Sequence, residues 1–228
     1  MLDFIRIACA VPAVRVGDTA KNAEDICAYI EKADGERADI VLFPELALTG
    51  YTCQDLFFQD TLWTGVQQGI RKIADCTKDH PNVTAAVGLP VRTGMRMYNC
   101  AAVISRGKIH ALVPKTYIPN YNEFYEKRWF SSGAEVTEDV AELLGEPVPI
   151  LPRAVFRVGG TLLGVEICED MWTPLPPSTF LALNGAEVIL NLSASNETIG
   201  KRAYRRGLVQ PQSAALNCVY AYCSAGST

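Results

Sequence analysis

Short apolar runs recur along this chain, and three of them end directly before a chemically reactive side chain. These runs are 40–44 before Glu45, 111–114 before Lys115, and 162–167 before Cys168. Short apolar runs rich in β-branched residues are typical of buried strands. In open α/β folds, functional groups gather just beyond the carboxyl ends of the strands. We therefore expect a carboxylate, an ammonium group and a thiol to meet at one edge of a β-sheet.

The composition indicates one globular domain with a sizeable core. The chain has 228 residues, of which 49% are hydrophobic, and its formal net charge is −4. Single α/β domains of this size are common. The slightly acidic balance favours neither nucleic acid nor an acidic membrane surface as a partner. No run approaches the ~18 apolar residues that a membrane-spanning helix needs.

The eight cysteines are scattered and form no CxxC pair, which favours reduced thiols over a disulfide framework or a zinc site. The first residues have no basic segment ahead of the apolar stretch, so they resemble a first strand more than a signal peptide. Both observations predict a cytoplasmic protein.

The hydrophobic periodicity predicts the order β-α-β-α-β, then hairpins, then α-β-α-β. The predicted strands are 4–11, 39–43, 83–88, 187–192 and 219–223; the helices are 18–37, 55–78, 178–184 and 199–217; the hairpins are 98–105 with 108–114, and 155–158 with 161–168. We expect the last helix to break or kink near Pro211. Residues 117–150 are expected to be mostly irregular. The elements predict two mixed sheets with helices outside, a four-layer α-β-β-α sandwich.

Cys168 is the candidate nucleophile. An average cysteine is a small buried apolar residue, but Cys168 follows a strand at an abrupt transition into a turn. A nucleophile at such an elbow is exposed to substrate, and the backbone N–H groups after it can stabilise an oxyanion.

Histidine is the usual base for a thiol, but the chain has only His80, at a helix end and expected to face solvent, and His110, within a hairpin and expected to be structural. A buried carboxylate can replace histidine when burial raises its pKa. Glu45 has the right surroundings, although it could also cap a loop. Lys115 could be an ordinary surface lysine; beside a thiolate it would stabilise the thiolate and an oxyanion.

These segments resemble the three signatures of the nitrilase, or carbon–nitrogen hydrolase, superfamily, in that family's order. The matching segments are 43–46 (FPEL), 113–117 (VPKTY) and 164–170 (GVEICED). The resemblance implies an α-β-β-α sandwich with Glu45 as general base, Lys115 as transition-state cation and Cys168 as nucleophile.

Further segments are similar to the glutaminase domain of bacterial glutamine-dependent NAD synthetases. They are 48–51 (LTGY) with 55–57 (DLF), 119–126 (PNYNEFYE), 168–172 (CEDMW) and 191–195 (NLSAS). This resemblance implies that Glu126, rather than Glu123, is an additional glutamate near the triad. It also implies a substrate site containing Tyr121, Ser195, Tyr51, Glu169 and Lys201, the last at a position where the family often has arginine.

The resemblance implies hydrolysis of L-glutamine through a cysteine thioester. The ammonia would pass to an ATP-dependent synthetase domain that amidates nicotinic acid adenine dinucleotide. No metal or cofactor is expected for the hydrolysis; ATP and Mg would belong to the synthetase domain. The resemblance also implies homo-oligomers.

We interpret residues 1–228 as one glutaminase domain without the synthetase domain and without the last strands and C-terminal segment of a complete nitrilase fold. The chain contains neither a Ser-Gly-Gly phosphate loop nor a GxxxxGK[ST] motif. Two alternatives stay open: a stand-alone amidase, carbamoylase or nitrilase of the same fold, and a non-catalytic assembly module.

Overall fold

The computed structural model describes residues 4–226, which form two facing β-sheets between two pairs of helices. The first sheet has the order β1-β2-β3-β4-β5. Its strands are β1 (Ile7–Cys9), β2 (Ile40–Leu42), β3 (Thr84–Thr93), β4 (Arg96–Ser105) and β5 (Lys108–Pro114). The first three strands are parallel, and β4 and β5 follow as antiparallel hairpin partners. Strands β2 and β5 therefore end at the same edge of the sheet.

Residues 117–150 contain more structure than the sequence indicated. They form one small hairpin of β6 (Asn120–Tyr121) and β7 (Phe124–Tyr125), and another of β8 (Val140–Leu143) and β9 (Glu146–Pro149). The expectation of a mostly irregular segment was wrong for these residues. The second hairpin turns its apolar side chains into the core, where they add to the packing of the first sheet.

The second sheet has the order β10-β11-β12-β13. Its strands are β10 (Val155–Val158), β11 (Thr161–Ile167), β12 (Val188–Ser193) and β13 (Val219–Ser224). Strands β10 and β11 form an antiparallel hairpin, whereas β11, β12 and β13 are parallel. Both sheets are mixed, as predicted.

Four helices cover the outer faces of the two sheets. They are α1 (Thr19–Gly35), α2 (Asp60–Asp79), α3 (Pro177–Leu183) and α4 (Lys201–Leu216). Helix α1 begins where the Asp18 carboxylate accepts a hydrogen bond from the Lys21 N–H at 3.0 Å, which satisfies one free donor of the first turn. None of the helices within residues 4–226 is long and apolar enough to cross a lipid bilayer.

The core confirms the predicted four-layer sandwich, because alternate residues of each strand face different layers. Val41 of β2 packs with α1 and α2, whereas Ile40 and Leu42 face the second sheet. In the second sheet, Leu190 faces the first sheet and Ile189 packs with the α3 side.

Several predicted boundaries were wrong. Strands β3 and β4 extend beyond 88 and before 98, because Gly94, with φ +55°, makes a tight hairpin turn. Residues 55–58 belong to a 3₁₀ segment (Tyr51–Phe58) and not to the second helix. The first strand covers only Ile7–Cys9 of the predicted 4–11.

Helix α4 continues through Pro211, so the alternative of a break is wrong, whereas a kink at this position stays a prediction. Proline removes one hydrogen bond and crowds the carbonyl four residues earlier. That position is Gly207, whose backbone has extra conformational freedom and open space around it.

Gly88 of β3 lies directly beneath the turn that follows β2. A Cβ atom at Gly88 would be 2.3 Å from the Leu46 nitrogen and 2.5 Å from the Pro44 carbonyl oxygen. Leu46 itself has a left-handed backbone, with φ 51°. The missing side chain thus lets this turn lie flat across β3.

We predict that Gly88→Ala lowers the free energy of unfolding by about 1–3 kcal/mol, because backbone atoms must move to admit the methyl group. Urea unfolding followed by circular dichroism measures this change. The matched control is Gly207→Ala, where nothing lies within 4 Å and a helical alanine stabilises by up to about 1 kcal/mol. Equal stability of Gly88→Ala and the parent would contradict the packing argument.

Candidate active site

Glu45 lies in the turn after β2, and its buried carboxylate accepts three hydrogen bonds from three different strands or their ends. Its Oε1 accepts from Lys115 Nζ and from Asn99 Nδ2, each at 2.7 Å, and its Oε2 accepts from the Ala194 N–H at 2.9 Å. Ala194 directly follows β12 of the other sheet. Both sheets therefore contribute hydrogen bonds to the carboxylate of Glu45.

Lys115 follows β5 and is fully buried, with its ammonium group between two carboxylates. Its Nζ is 2.7 Å from Glu45 Oε1 and 2.7 Å from Glu126 Oε1. Burial alone favours the neutral amine, but the two carboxylates more than offset it and raise the pKa of Lys115 well above its ordinary value. Lys115 is thus a fixed cation rather than a surface lysine.

Glu126 starts a 3₁₀ turn (Glu126–Arg128) directly after β7. Besides Lys115, its Oε1 accepts a hydrogen bond from the Tyr51 hydroxyl at 2.6 Å, whereas its buried Oε2 has no partner. Burial raises the pKa of Glu126, and the charge of Lys115 opposes that rise. Glu126, rather than Glu123, is therefore the glutamate that contacts Lys115.

Cys168 follows β11 in a left-handed backbone conformation, with φ 44°. For a residue with a side chain this conformation costs of order 1–3 kcal/mol, and such strain is typical of a nucleophile elbow. Burial and the charge of Glu45 raise the pKa of the Cys168 thiol, and Lys115 opposes the rise. The resting sulfur is therefore a neutral thiol that needs a base.

Asp170 connects the Cys168 elbow to the segment that follows Lys115. Its buried carboxylate accepts from the Ile167 N–H at 3.0 Å, and also from the N–H groups of Thr116 at 3.1 Å and Tyr117 at 2.8 Å. One side chain of the second sheet thereby fixes the backbone next to the lysine of the first sheet.

A cavity of about 230 Å³ lies beside these groups and contains Cys168 and Glu126 in its wall. Six predicted site residues line it: Tyr121, Glu126, Cys168, Glu169, Ser195 and Lys201. Tyr51 is absent from this lining; it borders a second, smaller cavity together with Glu45 and Ser195. Its expected contact with substrate remains a prediction, while its hydroxyl contacts Glu126.

Among the described residues, the cavity wall carries one basic side chain, Lys201, and three acidic ones, Glu123, Glu126 and Glu169. The Tyr121 hydroxyl donates to both carboxylate oxygens of Glu169 at 2.9 Å, and burial raises the pKa of Glu169. The Lys201 ammonium lies 5.2 Å from the ring centre of Trp172 and 5.7 Å from that of Phe124. These aromatic faces hold the cation at the cavity without neutralising it.

Sequence reasoning missed Asn99, Asp170 and Ala194. Asn99 and Asp170 are buried polar residues next to apolar runs, which is the only signal the sequence carries for them. The two histidines lie elsewhere: His80 pairs with Asp34, and His110 with Ser105. Among residues 4–226, no three His, Cys, Asp or Glu side chains converge to hold a metal ion; a metal-free hydrolysis stays a prediction.

Comparisons with known proteins identify the family of the chain. The sequence profile described as Carbon-nitrogen hydrolase matches residues 6–227. Glutamine-dependent NAD(+) synthetases of Mycobacterium bovis and Xylella fastidiosa are each 37% identical to the chain, over 98% and 97% of its length. The chain spans only 33% and 37% of those two proteins.

Solved structures show the same fold. A glutamine-dependent NAD(+) synthetase from Cytophaga hutchinsonii superposes with a TM-score of 0.82 and 29% identity, covering 96% of this chain and 35% of that one. The NitN amidase from a Nesterenkonia species gives a TM-score of 0.77 at 19% identity, over 99% of this chain and 80% of the amidase. The second likeness concerns the fold alone.

We predict that Lys115→Met lowers the free energy of unfolding by about 3–5 kcal/mol at pH 8, because two buried carboxylates lose their counter-ion. The loss should be smaller at pH 5. Without the cation, protonation relieves the carboxylates in the folded state, and a raised folded-state pKa gives stability that is lost as pH rises. Urea unfolding at both pH values measures the difference.

The control is Lys72→Met, which removes the exposed ion pair with Glu24 and should change stability little at either pH. Equal effects of the two substitutions would contradict the buried-triad argument.

Proposed function

The chain belongs to the carbon–nitrogen hydrolase family, and we propose that it hydrolyses the side-chain amide of L-glutamine through a thioester on Cys168. The observation that carries this proposal is the 230 Å³ cavity, whose wall combines the Cys168 thiol with the Lys201 cation and with carboxyl groups that include Glu126 and Glu169. The relatives named above, which use glutamine, support the same substrate.

The reaction begins with transfer of the Cys168 thiol proton to Glu45. Because the thiol pKa is raised, this transfer accompanies attack of the sulfur on the amide carbon. The new C–S bond leaves a tetrahedral oxyanion, which Lys115 and the Glu169 backbone N–H stabilise. Glu45 returns the proton to the amide nitrogen, the C–N bond breaks, and ammonia leaves.

Hydrolysis completes the cycle. Glu45 takes a proton from a water molecule, whose oxygen attacks the thioester carbonyl. The C–S bond then breaks, the proton passes to the Cys168 sulfur, and glutamate leaves. Lys115 keeps its charge in both halves, because its pKa is far above neutrality. The proposed reaction uses no metal ion or organic cofactor.

Charges in the cavity match a free amino acid. Lys201 would bind the α-carboxylate of glutamine, and Glu169, oriented by Tyr121, would bind its α-ammonium group. Ser195 would add a polar contact at the same wall. A cavity of this size is large enough for a small amino acid.

We further propose that the ammonia serves a synthetase domain that amidates nicotinic acid adenine dinucleotide with ATP and Mg, in a cytoplasmic, homo-oligomeric protein. The full-length relatives support this extension, since the chain spans about a third of their length. The ATP and Mg would belong to the synthetase domain.

We predict that Cys168→Ala abolishes release of ammonia from glutamine and leaves the unfolding transition in place. A coupled assay for glutamate measures the activity. Cys76→Ala, which changes a thiol on α2, is the control and should retain full activity. Substantial turnover by Cys168→Ala would exclude the thioester mechanism. Parent activity on simple aliphatic amides equal to that on glutamine would instead favour a general amidase.

We predict that Lys201→Met raises KM for glutamine by about 10–100-fold, the usual loss for one charge-assisted hydrogen bond, with a smaller change in kcat. Lys127→Met is the control, because Lys127 lines a different cavity. An unchanged KM for Lys201→Met would show that this cation does not bind the α-carboxylate.

A further inference from the structure

Asn99 is a fully buried polar residue in the middle of an otherwise apolar stretch of β4. Strand β4 lies between β3 and β5. The turn that contains Glu45 lies across β3, and Lys115 directly follows β5. Asn99 is therefore placed between the two charged groups of the site.

Two contacts connect Asn99 to these groups. Its Nδ2 donates to Glu45 Oε1 at 2.7 Å, and its backbone carbonyl accepts from the Lys115 N–H at 2.8 Å. The ionised carboxylate can only accept hydrogen bonds, which fixes the amide with its nitrogen towards Glu45. The Asn99 side chain thus orients the Glu45 carboxylate, and the Asn99 main chain positions the backbone of Lys115.

Fold stability does not account for an amide at this position. The Asn99 Oδ1 atom is buried and has no hydrogen-bond partner among residues 4–226. Leaving a polar atom in that state is unfavourable, and an apolar side chain of the same shape would avoid the cost. The amide is useful only through the hydrogen bond that it donates to Glu45.

We propose that Asn99 is a positioning residue that acts through Glu45. Together with Lys115 it occupies Oε1, so that Oε2, which has a single partner in the Ala194 N–H, is free to receive the thiol proton. It also stabilises the ionised form of Glu45. The kinetic tests of this proposal rest on the proposed hydrolytic function. The test that measures the reactivity of the Cys168 thiol does not.

Four titratable groups face Glu45 from neighbouring elements. They are Lys115 after β5, Glu126 in its 3₁₀ turn, Cys168 after β11, and Tyr51 in the 3₁₀ segment after the Glu45 turn. Substitution of Asn99 removes a neutral donor and leaves all four in place. A change in pH dependence then reports on the carboxylate that Asn99 contacts.

The main test is Asn99→Leu, which removes the donor and the unpartnered oxygen while keeping the shape. We expect kcat for glutamine to fall by about 10–100-fold with KM changed by less than about threefold, because Asn99 is fully buried and does not line the 230 Å³ cavity. The acidic limb of the pH–rate profile should move to higher pH, since the ionised carboxylate loses a donor. A parent-like profile, or a loss confined to KM, would overturn the proposal.

A second variant, Asn99→Asp, covers the case in which Asn99→Leu does not fold. The introduced carboxyl can donate to Glu45 only while it is protonated, so activity should fall as pH rises through the range where the parent is constant. A pH profile parallel to that of the parent would contradict the proposal. Thr77→Val is the control, because it removes another buried side-chain hydrogen bond far from the site and should leave the profile unchanged.

The thiol readout separates this proposal from the glutamine assignment. Alkylation of Cys168 by iodoacetamide, followed by peptide mass spectrometry, depends on proton transfer to Glu45 and needs no substrate. When the alkylation rate is measured against pH, a shift of its acidic limb to higher pH in Asn99→Leu supports the positioning role even if glutamine is not hydrolysed. An unshifted limb would refute it even if glutamine is hydrolysed.

Discussion

The Lys115 ammonium group between the carboxylates of Glu45 and Glu126 is the interaction on which the site depends. All three groups are withdrawn from water, and the desolvation of buried charges is repaid only when nearly every oxygen and proton finds a partner. The partners come from both sheets: the Ala194 N–H from the second, and the Asn99 amide from the first. The charged site is therefore complete only when the two sheets are in contact.

The first sheet must bring Glu45 and Lys115 together although β3 and β4 separate their strands. Neighbouring strands are about 4.8 Å apart, so the two strand ends are too distant for direct contact without help. Gly88 lets the Glu45 turn lie across β3, and Asn99 spans the remaining gap on β4. Gly88 and Asn99 therefore help to hold the side chains of Glu45 and Lys115 in contact.

The sequence predicted the parts of the fold that are coded by local periodicity. The ends of β2, β5 and β11 were predictable because an apolar run stops at a reactive residue. The hairpins within 117–150 were not, because their strands are two to four residues long and carry no clear period. Asn99 escaped notice because its partner, Glu45, is 54 residues away in the chain. Contacts over such separations are a property of the folded sheet and not of any local pattern.

Two of the proposed recognition groups, Tyr121 and Lys201, lie on different segments from the three proposed reacting groups. Glu45, Lys115 and Cys168 follow strands of the two large sheets, whereas Tyr121 lies in the small hairpin and Lys201 follows the loop after β12. Neither of these two segments supplies a strand to the sandwich. Substitutions at Tyr121 and Lys201 leave the strands that carry the proposed reacting groups unchanged, whereas a longer hairpin would also displace Glu126, which directly follows β7. Single substitutions at these two positions are therefore a route by which new specificities arise during divergence from a common ancestor.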